Sequence, residues 1–222
     1  MKGNLRMKVS IIIPIKDEPY IQTLVNEIHK VLSSISHEIV VVDKSHRIGK
    51  IKDAKHIIQK SDGLGNAILE GVDYSTGDFI ITMDGDGSHR ADDLMKFIQK
   101  MNRYDIIVGS RYIKGGIISE NPFRIIISRV YCLIASLLLN LNITDNMSGF
   151  VASKRSVYEK IKLNPRGFKI NTEILFKARK FNFKCVEIPI KFLKRKGGKQ
   201  KNGIIEATKI LFHLIELRLG LR

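Results

Sequence analysis

Gly77-Asp78-Phe79-Ile80-Ile81-Thr82-Met83-Asp84-Gly85-Asp86-Gly87-Ser88-His89 runs an apolar stretch straight into two acids one residue apart. Phe79 to Met83 is short, rich in β-branched residues and bounded by glycines, the pattern of a strand covered on both faces in a parallel sheet. Asp84 and Asp86 fall where the backbone leaves that sheet. Residues two apart in extended chain point the same way, and Gly85 lets the backbone bend so that both carboxylates address one point. Two hard oxygen donors suit Mg²⁺ or Mn²⁺, ions that keep waters and take further ligands from substrate phosphates. Asp-Gly is equally a turn signal, and taken alone the four residues from Asp84 also read as a polar turn. The rest of the chain decides between the two.

Upstream, Lys8 to Ile13 is a β-branched run that the pattern closes at Pro14. Ile21, Leu24, Val25, Ile28, Val31, Leu32 and Ile35 then recur at intervals of three and four, a core-facing helical stripe. Glu38 to Val42 is a second apolar strand, ending at Asp43. Strand, helix and strand with short joints make a βαβ unit of a parallel sheet. Lys44 to Lys60 is basic and weakly periodic, and fixes no element. Leu64, Ala67, Ile68, Gly71 and Val72 mark a helix after Ser61-Asp62-Gly63. Ala91, Leu94, Phe97, Ile98 and Met101 mark another, and Asp105 to Val108 a strand leading into Gly109-Ser110-Arg111. In such sheets ligands sit beyond the carboxyl ends of the strands. Pro14 to Glu18, Asp43, the Asp84 and Asp86 pair and Arg111 then share one edge, which favours a metal site over a bare turn.

Downstream, Phe123 to Leu141 is apolar nearly all round yet carries Arg124 and Arg129, which fits a buried helix or one lying at a bilayer surface. Met147 to Ser153 reads as a strand, Lys154 to Ile161 as a short helix and Asn171 to Asn182 as a longer one. Val186, Ile188, Ile190 and Phe192 alternate as a strand, and Pro189 places it at an edge. Lys191 to Lys201 is a basic loop, and Ile204 to Leu221 an amphipathic helix that docks on the domain or on a membrane.

At 222 residues, 44% hydrophobic and 27% charged, the chain fits one globular domain, 1–195, with 196–222 as an extension of it. The balance of 38 Lys and Arg against 22 Asp and Glu leaves +16, which calls for an anionic partner. Nucleic acid is not the expected one, because there is no Trp, no interleaving of aromatics with the basic runs and no recognition motif. Cys132 and Cys185 lie in apolar surroundings without companions at metal-ligand spacing, and are expected as free thiols in a reducing compartment. No apolar core of signal-peptide length precedes the first strand, and no window reaches 18 uninterrupted apolar residues.

Taken in order, several short motifs carry a resemblance: Val9-Ser10-Ile11-Ile12-Ile13-Pro14, Glu38 through Asp43, Gly63-Leu64-Gly65-Asn66-Ala67, Gly77 through Asp86, and Gly109-Ser110-Arg111-Tyr112-Ile113-Lys114-Gly115-Gly116. Ser148-Gly149-Phe150 and Asn164 through Lys169 follow. Over nearly its whole length the chain resembles family 2 glycosyltransferases, and within them the dolichol-phosphate mannose synthases and other polyprenol-phosphate sugar synthases. The resemblance implies the α/β GT-A fold, an open, mostly parallel, Rossmann-like sheet flanked by helices, with amphipathic helices at the C-terminus. It implies a metal-dependent, inverting transfer of a sugar, mannose, from a nucleoside diphosphate sugar, GDP-mannose, to dolichyl or polyprenyl phosphate. A soluble or glycan acceptor is the alternative.

By the same resemblance Pro14, Glu18, Val42, Asp43, Asp84 and Gly85 bind the donor nucleotide, and Asp86 with Asp84 holds Mg²⁺ or Mn²⁺. Arg111, Arg124, Ser128 and Lys199 face the acceptor phosphate, while Asp84, Asp86 and Arg111 form the catalytic set. His89 is expected beside the metal shell or in solvent, and Glu173 near the acceptor or as a solvated first-turn acid. Four residues depart from the family pattern: Lys44 stands in place of an acid, Lys16-Asp17 in place of Tyr-Asn, and Ser88 in place of a metal-binding glutamine. The chemistry is coherent on its own terms. Negative charge grows on a departing diphosphate and a cation offsets it. A phosphate acceptor is already ionised at neutral pH and needs no general base, and direct attack inverts the anomeric centre. Relatives often carry C-terminal membrane helices and this sequence stops before any. The expectation is therefore a peripheral protein on the cytoplasmic face, held by Phe123 to Leu141, the basic loop and the final helix.

Overall fold

The computed structural model describes residues 7–45, 49–164, 170–196 and 214–220. Its strands are β1 (Val9–Ile15), β2 (His37–Asp43), β3 (Lys55–Ile58), β4 (Phe79–Thr82), β5 (Ile106–Ser110), β6 (Ile117–Ile118), β7 (Val151–Lys154), β8 (Cys185–Pro189) and β9 (Lys191–Phe192). The helices are α1 (Ile21–Val31), α2 (Leu64–Tyr74), α3 (Leu94–Ile98), α4 (Pro122–Leu139), α5 (Arg155–Lys160) and α6 (Ile170–Ala178). Seven strands form one sheet in the order β3-β2-β1-β4-β7-β5-β8, and β6 pairs with β9 in a small second sheet. Within the large sheet the pairs are parallel except for β7, which runs antiparallel between β4 and β5. The mostly parallel α/β sheet expected from the sequence is therefore present.

The apolar runs of β1, β2 and β4 are continuous because both faces of the sheet are covered. Alternate residues divide between two cores. Ile11, Ile13, Ile39, Val41, Phe79 and Ile81 pack with α1 and α3, while Ile12, Val40, Val42, Ile80, Ile106 and Val108 pack with α2 and α6. The stripe read on α1 is the buried one, with Ile21, Leu24, Val25 and Ile28 inside. Leu214 and Leu217, from the far end of the chain, join the second core.

Several elements differ from the sequence reading: the helix read over Asn171 to Asn182 is α6, which ends at Ala178, and the strand read from Val186 to Phe192 is divided into β8 and β9. β1 runs through Pro14 to Ile15 rather than stopping at Pro14. Ile12 turns its carbonyl toward Met83, so Pro14, two residues on, faces the side where β4 has already ended at Thr82, and no ladder partner misses its absent N–H. β7 begins at Val151 rather than Met147, because the backbone before it is taken up in a turn in which Ser148 N–H donates to the Asp145 carbonyl. The basic stretch after Asp43 contains β3, a half-exposed edge strand whose composition gave no periodic signal. Pro189 does lie on an edge strand, since β8 ends the sheet.

At the amino-terminal ends of the strands, away from the edge where ligands would bind, Glu38 ties three segments together. Its carboxylate accepts from Ser10 Oγ at 2.6 Å, from Thr76 N–H at 2.6 Å and Thr76 Oγ1 at 3.0 Å, and pairs with Lys8 Nζ at 3.2 Å. Burial alone would raise its pKa, but the bonds from Ser10, Thr76 and Lys8 prevail and pull it down to about 2. A carboxylate depressed in the fold adds stability above its unfolded pKa of 4.5, and that stability is lost as pH falls toward 2. Urea denaturation of Glu38→Gln should therefore give a lower midpoint than wild type at pH 7, with the gap closing below pH 4.

Candidate functional site

β4 ends opposite Ile12, three residues before β1 does, and the chain turns at once across the end of β1. A side chain at Gly85 would run into Ile15 and Ile13, so the turn lies flat against β1 only because no Cβ is there. The two acids that flank it differ in setting. Asp86 is 4% exposed, with Oδ1 accepting from Ser88 N–H at 2.9 Å and Oδ2 3.0 Å from Arg195 Nε. The Asp84 side chain is 34% exposed and opens toward solvent.

Glu18, just beyond β1, faces the same turn. Its Oε2 is buried without a hydrogen-bond partner, and its pKa is pushed up to about 7, first by burial and then by Asp86, Asp84 and Asp17, against the opposing pull of Arg195. Asp84, Asp86 and Glu18 thus form one field of negative charge at the rim of the sheet. His89 supports the turn from inside. Asp84 N–H donates to His89 Nδ1 at 2.9 Å, which puts the ring proton on Nε2, and burial holds the imidazole below its usual pKa. Its ring packs against Phe150 and Phe192. It is therefore a buried support of the turn rather than a solvated neighbour. Ser88 is fully buried and its hydroxyl has no partner, so it does not face the acids as the usual glutamine of the family would.

The donor set fits a hard divalent cation. Among the described residues, no group of three or more His, Cys, Asp or Glu side chains is placed to hold an ion. Two carboxylates, with a third ionisable acid nearby whose oxygen has no partner, match ions that complete their shell from water and phosphate.

The other expected residues divide. Pro14 is half-buried at the end of β1. Val42 is fully buried, its side chain packed against α2. Asp43, two strands from the acid turn, is buried too. It accepts from Ser45 N–H at 2.8 Å and Ser45 Oγ at 2.6 Å, and lies 3.4 Å from His56 Nε2. Arg111 is held along one side of its fork. Its Nε and Nη2 donate to Asp145 at 2.8 Å each and its backbone N–H to the same carboxylate at 2.9 Å, with Asp145 fully buried and the Arg111 side chain partly so. The Asp145 contact holds the guanidinium pKa well above its usual value despite burial. Glu187 in turn fixes the loop by accepting from Thr144 and Asp145 N–H groups.

α4 starts at Asn121, whose side chain caps Phe123 N–H at 2.9 Å. Arg124 is exposed in its first turn, and one turn later Ser128 Oγ receives Arg111 Nη2 at 3.5 Å. Lys199 lies outside the described residues. Glu173 is buried rather than solvated: its Oε1 accepts from Asn164 N–H and from Lys177 Nζ, while its Oε2 is buried without a hydrogen-bond partner. Reading the sequence missed Asp145 and Arg195. Asp145 had a weak signal, an acid just before Ser148-Gly149-Phe150. Arg195 had none, because a basic run reads as solvated surface.

α4 is long and apolar enough to cross a membrane, yet it lies along the domain with only Cys132, Ala135 and Leu139 fully packed. Phe123, Ile126, Val130, Leu133 and Leu137 form an exposed stripe on its outer side, Leu137 reaching 74% exposure. Tyr112, Arg129, Cys132, Leu133, Ser136 and Thr144 line a cavity of about 310 Å³ beside it. Neither cysteine is in a disulfide.

A family model described as Glycosyl transferase family 2 matches residues 10–162. The chain is 37% identical to a dolichol-phosphate mannosyltransferase of Pyrococcus furiosus over 95% of its own length and 64% of that protein's. It is 29% identical to a polyprenol monophosphomannose synthase of Mycolicibacterium smegmatis over 74% of its length and 66% of that protein's. It thus spans just under two thirds of these relatives. Among solved structures, glucosyl-3-phosphoglycerate synthase from Mycobacterium tuberculosis, crystallised with Mn²⁺, UDP-glucose and phosphoglyceric acid, superposes with a TM-score of 0.74 at 12% identity. It covers 96% of this chain and 79% of that one. Mannosyl-3-phosphoglycerate synthase from Rubrobacter xylanophilus gives 0.69 at 15%, covering 96% and 73%. At such identities these two establish the shared fold alone.

Two measurements check the site's electrostatics. Glu18 binds its proton more tightly in the fold than in the unfolded chain, so it costs stability as pH rises from 4.5 through about 7. Glu18→Gln should flatten that decline and raise the denaturation midpoint at pH 8. Asp145→Ala leaves a buried guanidinium unpaired and should cost about 3–5 kcal/mol in urea unfolding.

Proposed function

The chain belongs to glycosyl transferase family 2, and on that premise we propose that it moves a mannosyl group from GDP-mannose to the phosphate of a dolichol or other polyprenol at a membrane surface. The observation that carries the reading is the acid turn. Asp86 is buried, Asp84 is open to solvent, and an unpartnered Glu18 oxygen joins them at the carboxyl edge of a family 2 domain. Similarity to the Pyrococcus and Mycolicibacterium enzymes supports mannose and a polyprenol phosphate as donor sugar and acceptor.

Asp86 and Asp84 are the residues that would hold Mg²⁺ or Mn²⁺, and the ion bound there would offset charge on the departing diphosphate. The remaining work falls to the chain. The backbone at Pro14 and Val42 and the fixed carboxylate of Asp43 lie along the edge where a nucleotide would bind. Arg124 and Ser128, the latter held in place by Arg111, would receive the acceptor phosphate. Direct attack by a phosphate oxygen on the anomeric carbon gives inversion. The exposed stripe of α4 would lie in the lipid surface, and Arg124, Arg129 and the basic loop would meet anionic headgroups at about 1 kcal/mol each. The cavity beside Leu133 offers the acceptor's apolar chain a place next to the same helix.

Incubation with GDP-mannose, Mn²⁺ or Mg²⁺ and a short polyprenyl phosphate should give a lipid-linked product of inverted configuration. Transfer to soluble acceptors alone would contradict the proposal. Asp86→Asn should lower turnover by roughly 100-fold or more with the circular dichroism spectrum unchanged. Leu133→Glu with Leu137→Glu should reduce binding to anionic vesicles by roughly 10-fold while leaving the fold intact.

A further inference from the structure

A five-residue strap, Phe192 to Lys196, crosses the acid turn. Phe192 bridges to His89 in antiparallel fashion, Leu193 N–H donates to Ser88 O at 2.9 Å, and Lys196 N–H donates to Asp86 O at 2.8 Å. Lys196 Nζ reaches Tyr20 Oη at 2.9 Å and stands over the Tyr20 ring at 4.3 Å. Between these anchors Arg195 Nε sits 3.0 Å from Asp86 Oδ2.

This placement has a consequence for the cation. Asp86 Oδ1 closes the turn through Ser88 N–H, and the other carboxylate oxygen, Oδ2, is already occupied by Arg195. A divalent cation and a guanidinium cannot share one carboxylate oxygen at contact without strong repulsion. The charged groups facing Arg195 are Asp86 and Glu18, and Glu18 is itself held up by Asp84 and Asp17. We propose that Arg195 is the resident counter-cation of the acid turn, and that a divalent ion binds Asp86 by displacing it and loosening the strap from Phe192 to Lys196. Binding of the ion and closure of the strap then oppose each other, and by linkage each weakens the other by the same factor.

The proposal rests on the metal site put forward above, and two measurements on the full chain separate the two. Mn²⁺ affinity, read from the electron paramagnetic resonance of the free aquo ion, should tighten on the order of fivefold in Arg195→Gln. Lys194→Gln, which removes an exposed charge from the same strap, should stay within about twofold of wild type. Equal tightening in both variants, or none in Arg195→Gln, overturns the role of Arg195 while leaving the metal site standing. Hydrogen exchange on the wild-type protein needs no variant. The Leu193 and Lys196 amides should exchange faster in saturating Mn²⁺ than without it, and unchanged or slower exchange overturns the displacement. Wild-type protein that binds no Mn²⁺ overturns the metal site and this inference together.

Discussion

Carboxylates gathered at the end of a strand repel one another, and the acid turn after β4 is built around that repulsion. Asp86 is nearly sealed from water, and Glu18 is pushed toward neutrality by burial and by Asp86 and Asp84. Such a gathering of acids attracts a cation into its midst. The cation in contact with it is the Arg195 guanidinium, brought from far along the chain, and under the proposed function a divalent ion would take that place and offset charge on the departing diphosphate. The surroundings keep the cluster in place without adding charge. His89 is a neutral imidazole that receives the Asp84 N–H, Phe150 and Phe192 close over it, and Gly85 lets the turn lie on β1.

The second buried charge system is solved differently. Arg111 and Asp145 are joined through two side-chain bonds and one backbone bond, with Asp145 fully buried. Arg111 also stacks on Tyr112 and Phe192, so the pair is joined to the acid turn through the ring of Phe192 beside His89. The pair links the acid turn to the first turns of α4, where Arg124 and Ser128 stand. Donor and acceptor would thus approach from two sides, the strand ends and the lipid-facing helix.

Much of the fold was legible because its signals are local. The continuous apolar runs of β1, β2 and β4, the three-and-four spacing of α1, and acids placed directly after a strand each depend on a few neighbouring residues. β3 escaped because an edge strand is only half-buried and its composition is basic. The passage of β1 through Pro14 depends on where β4 ends, which the residues around Pro14 do not encode. Arg111 and Asp145 are 34 positions apart and Arg195 lies 109 beyond Asp86, so their pairing is a product of topology. The family pattern marked Arg111 as important but not Asp145, the partner that fixes its orientation.

Locating the cation tests the central claim most directly. Crystals grown with Mn²⁺ and GDP, measured at the manganese absorption edge, should show one anomalous peak within coordination distance of an Asp86 carboxylate oxygen and of the diphosphate. A diphosphate bound with no manganese at Asp86, or manganese held elsewhere on the domain, would contradict the account.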